Sequence, residues 1–170
     1  YGFAQGDIGR AMSQFADSRS AMRGIIGYDE PDAIQKILSD HETYKSEFIK
    51  EFDNLESSMI TQENKTLYKD IEDQLDDYWA FEQEIIDQGA TTDREQCKLA
   101  QDKALNELAP MYNSIYDDLT QIMEIKVHKG QEMSNMLTTI IVVLTVVIII
   151  IITGSIIFAL TLGKGIANSI

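Results

Sequence analysis

The chain has 170 residues, with 28 acidic side chains against 14 basic ones, a net charge of −14 at neutral pH and 44% hydrophobic residues. That balance excludes a nucleic-acid binder, whose partner's phosphates demand a basic surface, and suits a face open to water and small ions. The single cysteine, Cys97, cannot close a disulfide within the chain, so no stapled scaffold is read. A buried free thiol is expected, with a cross-link between subunits as the alternative.

Tyr1 is not an initiator methionine, and no charged segment with an apolar core follows it, so no signal peptide is read. Tyr1 and Phe3 form an aromatic pair of the kind found just outside a membrane interface, which implies a preceding membrane helix. The first helical run covers about residues 4–27 and ends at "GYDEPDA", where Gly27 can take a left-handed cap. Asp29, Glu30 and Pro31 open the second, about 31–57. "SSMITQEN" is a weaker break, with Ser57, Ser58 and Thr61 as candidate caps. The third runs over about 62–88 and stops at Gly89. In "DQGATTDRE", Thr92 and Glu95 make a capping box for the fourth, about 92–162. Pro110 lies inside that helix and predicts a kink there.

From Met133 to Gly163 there is no charge. Leu137 to Leu162 would cover about 39 Å as a helix, enough to cross a bilayer with some tilt. Residues 1–135 hold 13 basic and all 28 acidic side chains, and only eight residues follow the span. That asymmetry of size places residues 1–135 outside the cytoplasm. Lys164 agrees with a cytoplasmic end, while Lys126 and Lys129 on the other side weaken the charge count.

Each run carries an apolar seam with alternating steps of three and four. The first reads Ile8, Met12, Phe15, Arg19, Met22, Ile26. The second reads Ile34, Ile37, His41, Tyr44, Phe48, Phe52, Leu55. The third reads Leu67, Ile71, Gln74, Tyr78, Phe81, Ile85. The fourth reads Cys97, Gln101, Ala104, Leu108, Met111, Ile115, Leu119, Ile122. Four amphipathic helices with short connections specify an all-α, antiparallel up-down-up-down four-helix bundle continuing into a transmembrane helix.

Every seam is interrupted by a polar residue. With caps matched in height, Arg19 falls level with Gln101 and Arg23 with Cys97, while His41, Tyr78 and Gln74 lie within one or two turns. Two readings of the arginines stay open. They pair inside the bundle with Asp17, Asp40 or Asp102, or they present a planar fork to a carboxylate arriving from outside. Taken singly, His41 and Gln74 read as groups that fix register, and Tyr78 and Trp79 as core and flank. The two histidines have no metal-ligand spacing with each other or with Cys97. No phosphate loop, nucleophile setting or calcium loop appears. Asp76-Asp77 and Asp117-Asp118 read as solvated faces. No enzyme, metal or cofactor is expected.

"SRSAMRGII" followed by "DEPDA", the "LAPMYNSIYDDLTQI" run, and the exit into "GKGIANSI" resemble the four-helix-bundle ligand-binding domain of bacterial methyl-accepting chemotaxis receptors. Sensor kinases carry the same ectodomain. The resemblance spans residues 1–170 and implies three parts: an extracytoplasmic sensor (1–135), a transmembrane helix (136–162) and the start of a cytoplasmic HAMP linker (163–170). It implies a homodimer whose first helices meet, embedded in a lipid bilayer, binding a small organic acid or amino acid. In amino-acid-sensing members, first-helix arginines bind the ligand carboxylate beside the fourth helix near the membrane-distal end. Arg19 and Arg23 match that pair, and Gln14 stands where a further arginine is expected. That departure favours a smaller or less charged carboxylate over a dicarboxylic amino acid. The expected site is therefore Arg19, Arg23, Gln14, Gln101, Tyr78 and His41. The alternatives are the same sensor on a histidine kinase or cyclase, and a membrane-tethered bundle that docks a protein partner.

Overall fold

The computed structural model describes the backbone of residues 2–167 and the side chains of residues 6–157. Its helices are α1 (Gly2–Ile25), α2 (Pro31–Leu55), α3 (Gln62–Gly89), α4 (Arg94–Lys103) and α5 (Ala109–Ala167), with a π-helical turn (Ala104–Leu108) between α4 and α5. No strand occurs among the described residues, and the fold is an all-α four-helix bundle. The chain divides into two compact units, Tyr1–Val127 and His128–Ile170. The aromatic rings of Tyr1 and Phe3 and the Lys164 side chain lie outside the described side chains, as does most of the expected linker.

Local chemistry explains most of the boundaries. Glu30 is the N-cap of α2, and Pro31 takes the first helical position, where a missing N–H leaves nothing unsatisfied. Thr61 caps α3, its hydroxyl accepting from the Asn64 N–H at 3.1 Å. Ser57 and Ser58 do not cap. Their hydroxyls donate to the Asn54 and Leu55 carbonyls, and Glu56–Ser58 forms a 3-10 turn.

Three expectations need correction. The fourth helix starts at Arg94, because Asp93 rather than Thr92 is its cap. The Asp93 carboxylate accepts from the Glu95 N–H at 2.9 Å and the Gln96 N–H at 3.4 Å, and its charge suits the positive helix end. Gly27 is not left-handed, since no described residue has positive φ. The chain leaves α1 through 3.0 Å bonds from the Gly27 and Tyr28 N–H groups to the Gly24 carbonyl. A Cβ at Gly27 would lie 2.9 Å from the Arg23 carbonyl oxygen, so close approach explains the glycine.

The third correction concerns the seam before Pro110. The backbone meets it with a π turn, in which the Ala109 N–H donates to the Ala104 carbonyl five residues back. The turn absorbs one extra residue. Ala100, Ala104, Leu108 and Tyr112 step inward by successive fours, and the three-and-four alternation resumes at Ile115. Upstream of the turn the inward face therefore carries Ala100, and Gln101 is exposed.

The core follows the other seams closely. Phe15 is fully buried, with ring centroids 4.9 Å from Phe48, 5.1 Å from Tyr78 and 4.7 Å from Tyr112, and Trp79 edge-on at 5.7 Å. α3 buries more than its expected seam, adding Tyr68, Leu75, Glu82, Ile86 and Gly89. At Gly89 a Cβ would sit 2.6 Å from Ile26 Cγ2 and 2.7 Å from Ala100 Cβ, so α1, α3 and α4 converge where only hydrogen fits. Toward the other end Lys126 is buried, its Nζ donating to Ser58 Oγ. Burial holds this ammonium below the usual lysine range, against the raising influence of Asp7.

The second unit is helical through Ala167, and its side chains from 131 to 157 are exposed. Among the described residues, one helix is long and apolar enough to cross a membrane. The hydroxyls of Thr138, Thr139, Thr145, Thr153 and Ser155 each donate to the carbonyl four residues back, at 2.8 to 2.9 Å.

Candidate ligand site

The predicted polar positions separate into two places. Arg19, Arg23 and Gln101 come together on a cleft of about 380 Å³ between α1 and the start of the fourth helix. α1 supplies Arg19, Met22 and Arg23, with Ile26 and Gly27 just beyond its end. The facing wall is Gln101, Ala104, Leu105, Leu108 and Ala109, so the π turn forms most of it. Wide turns of this kind recur at functional sites because they re-aim a helix face without ending the helix. Gln101 Nε2 donates to the Ile26 carbonyl at 2.7 Å and ties α4 to the last turn of α1.

Arg19 is half-buried and Arg23 exposed. Among the described residues neither forms an ion pair with a carboxylate, and the three candidate partners are engaged elsewhere or open to water. Asp40 pairs with Lys36 at 2.9 Å, Asp17 is exposed, and Asp102 is exposed with its carbonyl accepting from Asn106. Arg19 instead lies over Tyr112, its guanidinium carbon 4.0 Å from the ring centroid. Burial raises the Tyr112 phenol above its usual range, and the Arg19 charge pulls it back down. Both arginines also line a second, more open hollow of about 540 Å³ with Ala16, Ser20, Gly24 and Tyr112. The pair thus forms a cationic ridge between two concavities.

His41 and Tyr78 are elsewhere. Both are buried in the interior around Glu82, which is 1% exposed. His41 Nε2 lies 3.0 Å from Glu82 Oε2, and the Tyr78 hydroxyl donates to Glu82 Oε1 at 3.1 Å. Burial, and then the Glu82 charge, raise the Tyr78 phenol far above its usual range. Neither residue lines the cleft. Gln14 does not line it either, and its Oε1 is buried without a partner. Gln74 donates across to Asp118 at 2.9 Å, so Asp118 is half-buried rather than part of a solvated face. Cys97 is the expected buried thiol, donating to the Thr91 carbonyl at 3.1 Å.

Sequence reasoning missed Glu82 and Tyr112. Glu82 lies in the row Ile71, Leu75, Tyr78, Glu82, Ile85, whose steps of four and three were available to find it. Tyr112 becomes an inward position only once the π turn has added its residue, which no local propensity announces.

Residues 5–139 match a family model described as a four-helix-bundle sensory module for signal transduction. No curated protein and no solved structure matches.

Proposed function

The chain belongs to that family of four-helix-bundle sensory modules, and we propose that it is the ligand-sensing and membrane-crossing part of a chemoreceptor that binds a small organic carboxylate. Residues 1–135 are then the extracytoplasmic sensor, 136–162 the transmembrane helix and 163–170 the start of the cytoplasmic HAMP linker. The long run of exposed aliphatic side chains supports a lipid environment. So do the hydroxyls of Thr145, Thr153 and Ser155, each bonded back to its own helix and so given a partner where hydrocarbon offers none. A homodimer is expected, with α1 meeting its copy; Gly9 and Ser13 are exposed there, and a Cβ at Gly9 would meet nothing within 4 Å.

One observation carries the ligand reading: two arginines four residues apart line a cleft and have no carboxylate partner among the described residues. A guanidinium fork suits a carboxylate, and the cleft volume falls within the range of small-molecule sites. The module signals by differential binding, with ligand favouring one arrangement of α1 against the fourth helix.

Thermal melts of the whole chain in lipid nanodiscs test this with benzoate and acetate against benzamide and acetamide. A carboxylate should raise the midpoint and its amide should not. Arg19→Ala with Arg23→Ala should abolish the carboxylate's shift, because both guanidinium donors are gone. The reading is wrong if no carboxylate stabilises the chain, or if the shift survives in the double variant.

A further inference from the structure

The cleft is lopsided in a way that bears on what it holds. Its charged lining is confined to Arg19 and Arg23, and no carboxylate lines it. Apart from Gln101, whose amide is tied to the Ile26 carbonyl, the side chains around them are apolar, with Met22 on one wall and Ala104, Leu105 and Leu108 on the other. Leu105 is 70% exposed, a large apolar side chain on the lip that an occupant would cover.

We infer that this cleft selects a monocarboxylate with an apolar body and no amino group, the acid on Arg19 and Arg23 and the body against Leu105 and Leu108. The inference rests on the arginines being the anion site. An α-ammonium would be taken out of water with no carboxylate to meet it, a net cost. A second carboxylate at the far end would lie against leucine and alanine with no further cation. A chain of methylenes or a ring gains instead, because each buried CH₂ strengthens binding roughly three- to fourfold.

Calorimetry on the whole chain in nanodiscs, with empty nanodiscs as the blank, separates these classes. Isocaproate and leucine share a carbon skeleton and differ in the ammonium. Hexanoate and acetate differ in apolar length, and hexanoate and succinate in the far charge. Isocaproate should bind about tenfold or more tighter than leucine, and hexanoate about tenfold or more tighter than both acetate and succinate. Leu105→Ser, at an exposed position that the fold does not need, should shrink the advantage of hexanoate over acetate severalfold. Leucine or succinate equalling the apolar acids, with binding still lost on Arg19→Ala, would overturn the selectivity and leave the anion site standing. Binding that ignores Arg19 and Arg23 altogether would overturn both.

Discussion

The bundle treats its seam-interrupting polar residues in two opposite ways. In the interior, His41 from α2 and Tyr78 from α3 both spend themselves on Glu82, at 3.0 and 3.1 Å, and all three are buried. On the cleft, Arg19 and Arg23 face water with no acidic partner among the described residues, although the chain carries 28 acidic side chains. Position in a seam does not distinguish the two cases. A partner for the charge does: the buried Glu82 meets a group from each of two helices, although His41 Nδ1 is left without a partner, whereas a cation with no carboxylate beside it at a concave surface is available to a ligand.

The largest expected effect tests the interior half of that contrast. Glu82→Ala should destabilise the ligand-free chain by about 1 to 3 kcal/mol for each group it strands in the core without its partner, His41 and Tyr78. Glu82→Gln should cost less, because an amide oxygen still accepts from the Tyr78 hydroxyl and the imidazole can switch tautomer to accept from the amide nitrogen. Urea denaturation of both variants measures this. A Glu82→Ala midpoint close to that of the parent would erase the difference between the two regions.

How much of this was readable beforehand follows from the range of the forces involved. The helices, the Glu30–Pro31 and Thr61 starts and most of the core depend on periodicity and local hydrogen bonds, which the sequence displays directly. Matching heights from the caps is less exact: it sets Gln101 level with Arg19 and Cys97 with Arg23. Gln101 meets the Ile26 carbonyl about two turns on, whereas Arg19 lies against Tyr112 and Cys97 is off the cleft. Glu82 escaped because a carboxylate in an apolar row looks like an error until its donors on two helices are known. A steady count puts Gln101 in the core, where Ala100 sits, because it cannot register the residue that the π turn before Pro110 adds. The height of His41 and Tyr78 was estimated as well, but height does not say which side of a helix faces a cleft.

Alkaline pH gives a second, intermediate test, because each region contains a tyrosine. Tyr78 is raised by burial and by Glu82, and Tyr112 by burial, with the Arg19 charge working against the rise at both. A raised phenol keeps its proton in the folded state after the unfolded chain has lost it. The stability it contributes is therefore complete below the unfolded value of about 10 and declines as pH climbs beyond it. Tyr68 adds the same sign, its folded value pushed up from 10.0 to about 12. Urea midpoints should consequently fall above pH of about 10, and Tyr78→Phe should flatten the fall. Tyrosinate absorbance of Arg19→Ala should show Tyr112 ionising at higher pH than in the parent. An unmoved titration would mean that the guanidinium does not rest on that ring in solution.

The smallest expected effect decides whether the cleft arginines are as idle in the fold as the contrast requires. Arg23 is exposed and makes no ion pair among the described residues, so Arg23→Ala should leave the ligand-free stability within about 0.5 kcal/mol of the parent. Arg19 is only half-buried, so its removal relieves little burial of charge, and it does give up the contact over Tyr112 at 4.0 Å. Contacts of that kind contribute about 0.5 to 1 kcal/mol at exposed sites. Arg19→Ala should therefore cost that much and no more, and Arg19→Lys should recover part of it, since the charge remains while the planar stacking is lost. A drop for Arg19→Ala approaching that of Glu82→Ala would show the arginine saturated within the fold after all, and the ridge between the two concavities would then be structure rather than a site.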